Sequence, residues 1–201
     1  MRNALLVSTC LLLAACGSEP ANVTVEPSNA VAEQVEAAPA NNATEALLVE
    51  DKPLLNLSSG ALSLVDPVSG RSRELAFGAG RADVERALEL ALGKVVERGL
   101  NRECGEGAMD FARMPGGLLV WFQEGKFVGW FTDDATTKLS TASGIGIGST
   151  RKDLTGAYDA EISESSLGEE FTAGELSGLL SGPGPAAKVT AIWSGQVCNF
   201  R

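Results

Sequence analysis

The chain has 201 residues, with 16 Lys and Arg set against 26 Asp and Glu, no histidine, and a formal charge of −10. That balance argues against nucleic acid as a partner, because neutralising phosphates requires clustered Lys and Arg, and it makes anionic lipid surfaces poor partners as well. The length leaves room for one domain with a sizeable core.

From the N-terminus, Arg2 supplies positive charge, Ala4 to Leu13 supply a short apolar run, and Leu13-Ala14-Ala15 precede Cys16. This is the order of a secretory leader with a small-residue cleavage site. The run is shorter than the about 20 apolar residues of a membrane span. The pattern predicts a bacterial lipoprotein signal peptide over residues 1–15, with Cys16 as the lipidation site. Loss of Arg2 with the leader would take the charge from −10 to −11. Acyl chains on Cys16 would anchor the protein firmly, since each buried methylene contributes about 0.8 kcal/mol. The plainer alternative is a secretory leader with an incidental cysteine. Gly17, where an aspartate would favour retention, points to the outer membrane, facing the periplasm.

Residues 16–51 are rich in Ala, Pro, Asn, Val and Glu; Pro20, Pro27 and Pro39 interrupt any helix, and no aromatic residue nucleates a core. The composition predicts a disordered tether. As a flexible coil its ends would lie on the order of 30 Å apart. A weak helix over Asn29 to Ala38 is the alternative.

The predicted domain spans residues 52–201. Ala61 to Val65 and Arg71 to Phe77 flank a turn-rich cluster and predict a hairpin. Val84, Ala87, Leu88, Ala91, Leu92 and Val95 then fall on one face at helical spacing, and Gly93 or Gly99 can end that helix. Three strands are expected next, over Met109 to Met114, Leu118 to Gln123 and Phe127 to Thr132. They carry most of the aromatic mass, which is more often core than ligand platform.

An internal repeat organises the domain. Phe77-Gly78-Ala79-Gly80-Arg81-Ala82-Asp83-Val84 aligns with Ile147-Gly148-Ser149-Thr150-Arg151-Lys152-Asp153-Leu154, at an offset of 70 residues. Gly78, Arg81 and Asp83 thus match Gly148, Arg151 and Asp153 as helix-start residues. Thr150 and Asp153 have capping spacing, and both aspartates fall in a first turn, where the helix dipole favours them. Strands over Lys188 to Trp193 and Gln196 to Phe200 would close the second copy. The predicted class is α+β: two helix-then-antiparallel-strand repeats, about 75–135 and 144–201, sharing a sheet and preceded by the hairpin and tether. With Cys10 lost and Cys16 acylated, Cys104 and Cys198 remain as an even pair. In an oxidising compartment they predict a disulfide joining the loop after the first helix to the last strand.

The tandem Gly-x-x-Arg-x-Asp-[Val/Leu] helix start, the Glu103-Cys104-Gly105 loop, the Phe127-Val128-Gly129-Trp130 strand and the Cys198-Asn199-Phe200-Arg201 end resemble small, uncharacterised bacterial envelope lipoproteins. The resemblance covers roughly Gly60 to Arg201. A glycine-started helix followed by a meander, present twice, is also similar to the β-lactamase-inhibitor-protein repeat. It is similar too to the small outer-membrane lipoprotein of the β-barrel assembly machine, from which the chain departs by its duplication and its late cysteine pair. These resemblances imply a binding or assembly role at the level of fold alone.

Members of that lipoprotein family can carry the label aspartate-semialdehyde dehydrogenase, an enzyme using a cysteine nucleophile and a histidine base. Here Gly144-Ile145-Gly146-Ile147-Gly148-Ser149 has Ser149 where the dinucleotide fingerprint needs its third glycine, Gly78-Ala79-Gly80 has Asp83 there, and no histidine exists. Ser149-Thr150-Arg151-Lys152 matches a serine-lysine pattern without its companion motifs. Asp133-Asp134 and Glu169-Glu170, on expected loops, lack the alternating oxygen-ligand spacing of a calcium loop, and zinc is disfavoured. No catalytic residue, metal or cofactor is therefore expected. The reading is a non-catalytic envelope lipoprotein, held to the membrane by its lipid and binding an envelope protein as scaffold, assembly factor or inhibitor. The alternative is an enzyme of unidentified type, which these residues do not support.

Overall fold

A computed structural model describes residues 52–198. The leader, Cys16 and the tether lie outside the described residues, as do residues 199–201. The elements in order are β1 (Leu54–Ser58), β2 (Ala61–Val65), β3 (Ser72–Ala76), α1 (Arg81–Leu92), β4 (Glu97–Asn101), β5 (Met109–Arg113), β6 (Leu119–Gln123), β7 (Lys126–Thr132), β8 (Ser140–Thr141), α2 (Arg151–Ala157), β9 (Glu161–Ser165), β10 (Gly168–Ala173), β11 (Leu176–Leu180) and β12 (Val189–Gly195).

With 45% strand and 13% helix, the described chain is mostly β, and the expected α+β balance is corrected accordingly. The helices are short, at 12 and 7 residues; α1 is followed by five strands, four of them in the larger sheet, and α2 by four, instead of the three and two expected. The larger sheet has the order β4-β5-β6-β7-β12-β11-β10-β9, so the strands after α1 and those after α2 meet edge to edge at the antiparallel β7–β12 pair. The smaller sheet has the order β3-β2-β1-β8, the predicted hairpin forming β2 and β3, with β8 parallel to β1.

One core lies between the two layers. The small sheet contributes Leu55, Leu57, Leu62, Leu64 and Leu75; α1 contributes Val84, Ala87 and Leu88; the large sheet contributes Val120, Phe122, Phe127, Trp130, Phe171 and Ile192. Burying such side chains stabilises by about 1.5 to 3 kcal/mol each. Polar bonds fix the relative position of the sheets. The Trp130 indole N–H donates to the carbonyls of Ser58 (3.1 Å) and Ala61 (2.9 Å), and the Gly60 N–H donates to Ser194 Oγ (3.0 Å). The turn between β1 and β2 is thereby held against the middle of the large sheet.

Other expectations need revision. Helix α1 ends at Gly93, so Val95 lies beyond it as a partly buried residue on the core. Glu169 and Glu170 lie within β10 and not on a loop. Residues 196–198 form no strand, so Gln196 to Phe200 fails as a strand over its described part.

Candidate functional site

The six helix-start residues form a matched pair of clamps. Gly78 and Gly148 adopt φ of +90° and +87°, where a side chain would be strained. Their N–H groups donate to the carbonyls of Phe127 (2.7 Å) and Val189 (2.8 Å), and those residues donate back to Ala79 (2.9 Å) and Ser149 (2.8 Å). The N–H groups of Arg81 and Arg151 then bond the carbonyls of Gly125 (2.9 Å) and Ala187 (2.7 Å). Each helix is thus pinned to the start of the last strand of its own meander.

The side chains repeat the correspondence. Arg81 reaches Asp110 on β5 at 3.3 Å, and Arg151 reaches Glu169 on β10 at 3.2 Å. The two acids hold matching ladder positions, opposite Phe122 and Leu180. A register shift recurs as well, between Trp121 and Phe122 against β7 and between Leu179 and Leu180 against β12. The third helix-start position differs between the two. Asp153 completes a capping box with Thr150, whose hydroxyl and N–H both bond its carboxylate, whereas Gly80 gives α1 no side-chain cap and Asp83 pairs with Arg86 at 3.4 Å. The hydroxyl and backbone bonds from Thr150 hold the Asp153 carboxyl below its ordinary pKa. These residues frame the fold, and Arg151 also lines a pocket of about 410 Å³ with Lys152, Thr155, Gly184 and Pro185.

The face of the large sheet turned away from the helices is different. Side chains of β6, β7, β11 and β12 that are absent from the core line a groove of about 460 Å³, among them Leu119, Trp121, Phe131, Leu179 and Trp193. Asp133 is the one charged side chain on its wall, and it has no ion-pair partner among the described residues. Trp121 is 4% exposed, and its indole N–H finds no acceptor among the described residues. A buried unsatisfied donor costs about 1 to 3 kcal/mol and calls for an explanation.

One end of the groove is closed by a second small core of Cys104, Met109 and Trp121, with Phe111, Leu119, Val128, Val197 and Cys198 packed on it. Phe111 and Trp121 stack with ring centroids 5.6 Å apart. Gly195, at φ +75°, turns the chain back after β12, and the facing Gly129 leaves room because a Cβ there would collide with the backbone of Gln196. This reversal brings Cys198 to Cys104, and the two form a disulfide with Cα atoms 5.2 Å apart. Cys104 lies in the loop between β4 and β5 and Cys198 lies beyond β12, one element later and just past the expected places.

The other motifs are occupied by local structure. In the glycine-rich segment, the N–H groups of Gly144, Ile145, Gly146, Gly148 and Ser149 bond Thr141 O, Thr141 Oγ1, Ser149 Oγ, Val189 O and Gly146 O. A phosphate cradle needs such groups free. Asp134 accepts from the N–H (2.8 Å) and hydroxyl (2.7 Å) of Thr136, which lower its pKa, and Glu170 is buried in β10. Among the described residues, no cluster of three or more His, Cys, Asp or Glu is arranged to hold a metal ion, and no helix is long and apolar enough to cross a membrane.

No family model and no curated protein matches the chain. Among solved structures, the uncharacterised protein yfeY from Escherichia coli is similar over 56% of this chain and 88% of its own, at 17% identity and a TM-score of 0.40.

Proposed function

We propose that this protein is a lipid-anchored lipoprotein of the cell envelope, facing the periplasm, whose domain is a duplicated module that binds another protein through the open face of its large sheet. The duplication is supported by the paired clamps at Gly78 and Gly148, the Arg81–Asp110 and Arg151–Glu169 contacts, and the register shift that recurs in each meander. The anchor is supported by Leu13-Ala14-Ala15-Cys16, and the envelope by the disulfide between Cys104 and Cys198.

The observation that carries the binding role is the groove itself. The groove is walled by a continuous run of apolar side chains, the partly buried Phe131 and the 5% exposed Trp193 among them, at the junction of the two halves of an acidic chain. Concave, mostly apolar pockets of this size with a single polar group on the wall are where ligands and partner side chains seat. The test is crosslinking in intact cells followed by purification of the full-length protein, beside a Thr190→Tyr variant that fills the groove from its exposed rim. A partner captured by the native chain and lost in the variant is expected; capture unchanged by the variant overturns the role of this face. Mass spectrometry of the mature N-terminus should find acylated Cys16, and an unmodified Met1 would remove the anchor.

A further inference from the structure

We infer that the occupant of the groove is a basic-apolar protein segment: a bulky apolar side chain seated between Phe131, Trp193 and Leu179, with a neighbouring lysine or arginine bonded to Asp133. This rests on the binding role proposed for the same face and names the chemistry of the partner. Two observations select it. The first is charge: the wall carries one ionisable side chain, the exposed carboxylate of Asp133, with no cation beside it among the described residues. A cation delivered there can make a charge-assisted hydrogen bond to that carboxylate.

The second is the net charge of −10, which sets two copies of this chain against each other and repels anionic lipid headgroups and fatty-acid carboxylates approaching Asp133.

The experiment selects a displayed library of random twelve-residue peptides against the folded chain with its disulfide intact. The selected peptides are then measured on three variants. Asp133→Lys reverses the charge at an exposed residue with no partner to lose, Thr190→Tyr fills the groove at an exposed rim, and Glu164→Lys makes the same charge change on β9, off the groove wall. Enriched peptides should place a lysine or arginine beside a bulky apolar residue. They should lose at least tenfold in affinity on Asp133→Lys and on Thr190→Tyr, and less than twofold on Glu164→Lys.

Loss on Thr190→Tyr without loss on Asp133→Lys would keep the face as a binding site and overturn its basic partner. Indifference to both would overturn the face as well. Saturable uptake of a fluorescent fatty acid that is lost on Thr190→Tyr, with no basic-apolar peptide enriched, would make the groove a lipid site. Tenfold tighter peptide binding after removal of residues 199–201 would make the chain's own end the occupant. Either result overturns the inference.

Discussion

Phe131 and Trp193 stand opposite each other across the antiparallel β7–β12 pair, with ring centroids 6.3 Å apart. They are also counterparts. Phe127 and Val189 hold matching places in the two clamps, and Phe131 and Trp193 each follow four residues later. The pairing is symmetric about them: Thr132 faces Ile192 on one side, and Trp130 faces Ser194 on the other. The axis relating the two meanders therefore passes through an aromatic pair on the open face.

Truncating both rings should reveal that coupling. Aromatic pairs contribute about 0.5 to 1.5 kcal/mol beyond their area burial. A double-mutant cycle of Phe131→Ala and Trp193→Ala, measured by urea unfolding, should return an interaction energy in that range. Additive losses would mean the rings are neighbours without an energetic link.

The disulfide supplies a second, larger quantity. Cys104 and Cys198 are separated by 94 residues, so the bond closes a loop containing both β7 and β12. In the chain-entropy account, closing a loop of this length stabilises by about 4 to 5 kcal/mol. Urea unfolding of the Cys104→Ser/Cys198→Ser double variant should show a loss approaching that figure. Cys104 and Cys198 pack on the Trp121 cluster, so a blue-to-red shift of tryptophan emission is expected well below the urea midpoint of the oxidised protein.

How much was legible in the sequence follows from which faces are buried. Helix α1 was visible because Val84, Ala87 and Leu88 enter the core from one side of a 3.6-residue period. The hairpin and β5 to β7 were visible because turn residues bracket apolar runs. Strands β4 and β9 are the two edges of the large sheet, with sequences ERGLN and EISES that bury almost nothing, so no alternation marks them. In β10 the adjacent carboxylates of Glu169 and Glu170 imitate a solvated loop, although one meets Arg151 and the other is buried. The groove was hidden for another reason. The aromatic stripe predicts a core, which is true of Phe122, Phe127 and Trp130, but the repeated register shifts leave Phe131 and Trp193 on the opposite face.

The two helix starts predict opposite effects of a hydroxyl. Thr150 caps α2 and Gly80 leaves α1 uncapped, with open space around a Cβ apart from Asp83 Oδ2 at 3.7 Å. Thr150→Ala should cost about 1 kcal/mol, and Gly80→Ser should gain a few tenths of a kcal/mol from the new cap. The first cost is pH-dependent. Asp153 has a folded pKa lowered from 3.8 by Thr150, so its contribution is fully present above 3.8 and is lost as the pH falls through the folded value. Carboxyl titration by NMR should show Asp153 moving back toward its ordinary value in Thr150→Ala.

Glu85 tests the electrostatics of the α1 side with a different balance. Its side chain is 12% exposed, and burial pushes the carboxyl pKa up. Hydrogen bonds and charges from Arg98 (2.8 Å) and Arg81 (2.7 Å) more than offset that and hold it below 4.5. A lowered folded pKa means that this network stabilises above 4.5 and stops doing so as the pH falls through the folded value. Arg98→Ala removes the two hydrogen bonds to Glu85 Oε2 while leaving the burial in place, so Glu85 should titrate at a higher pH. Because Arg98 is 48% exposed, solvent screens the pair and the loss near neutral pH should be small. That loss should shrink toward zero in acid, where Glu85 is protonated in both proteins. Urea unfolding of the two proteins across the acid range, with the Glu85 carboxyl followed by NMR, measures both effects. A cost independent of pH would assign the role of Arg98 to its hydrocarbon stem packing on α1 instead of its charge.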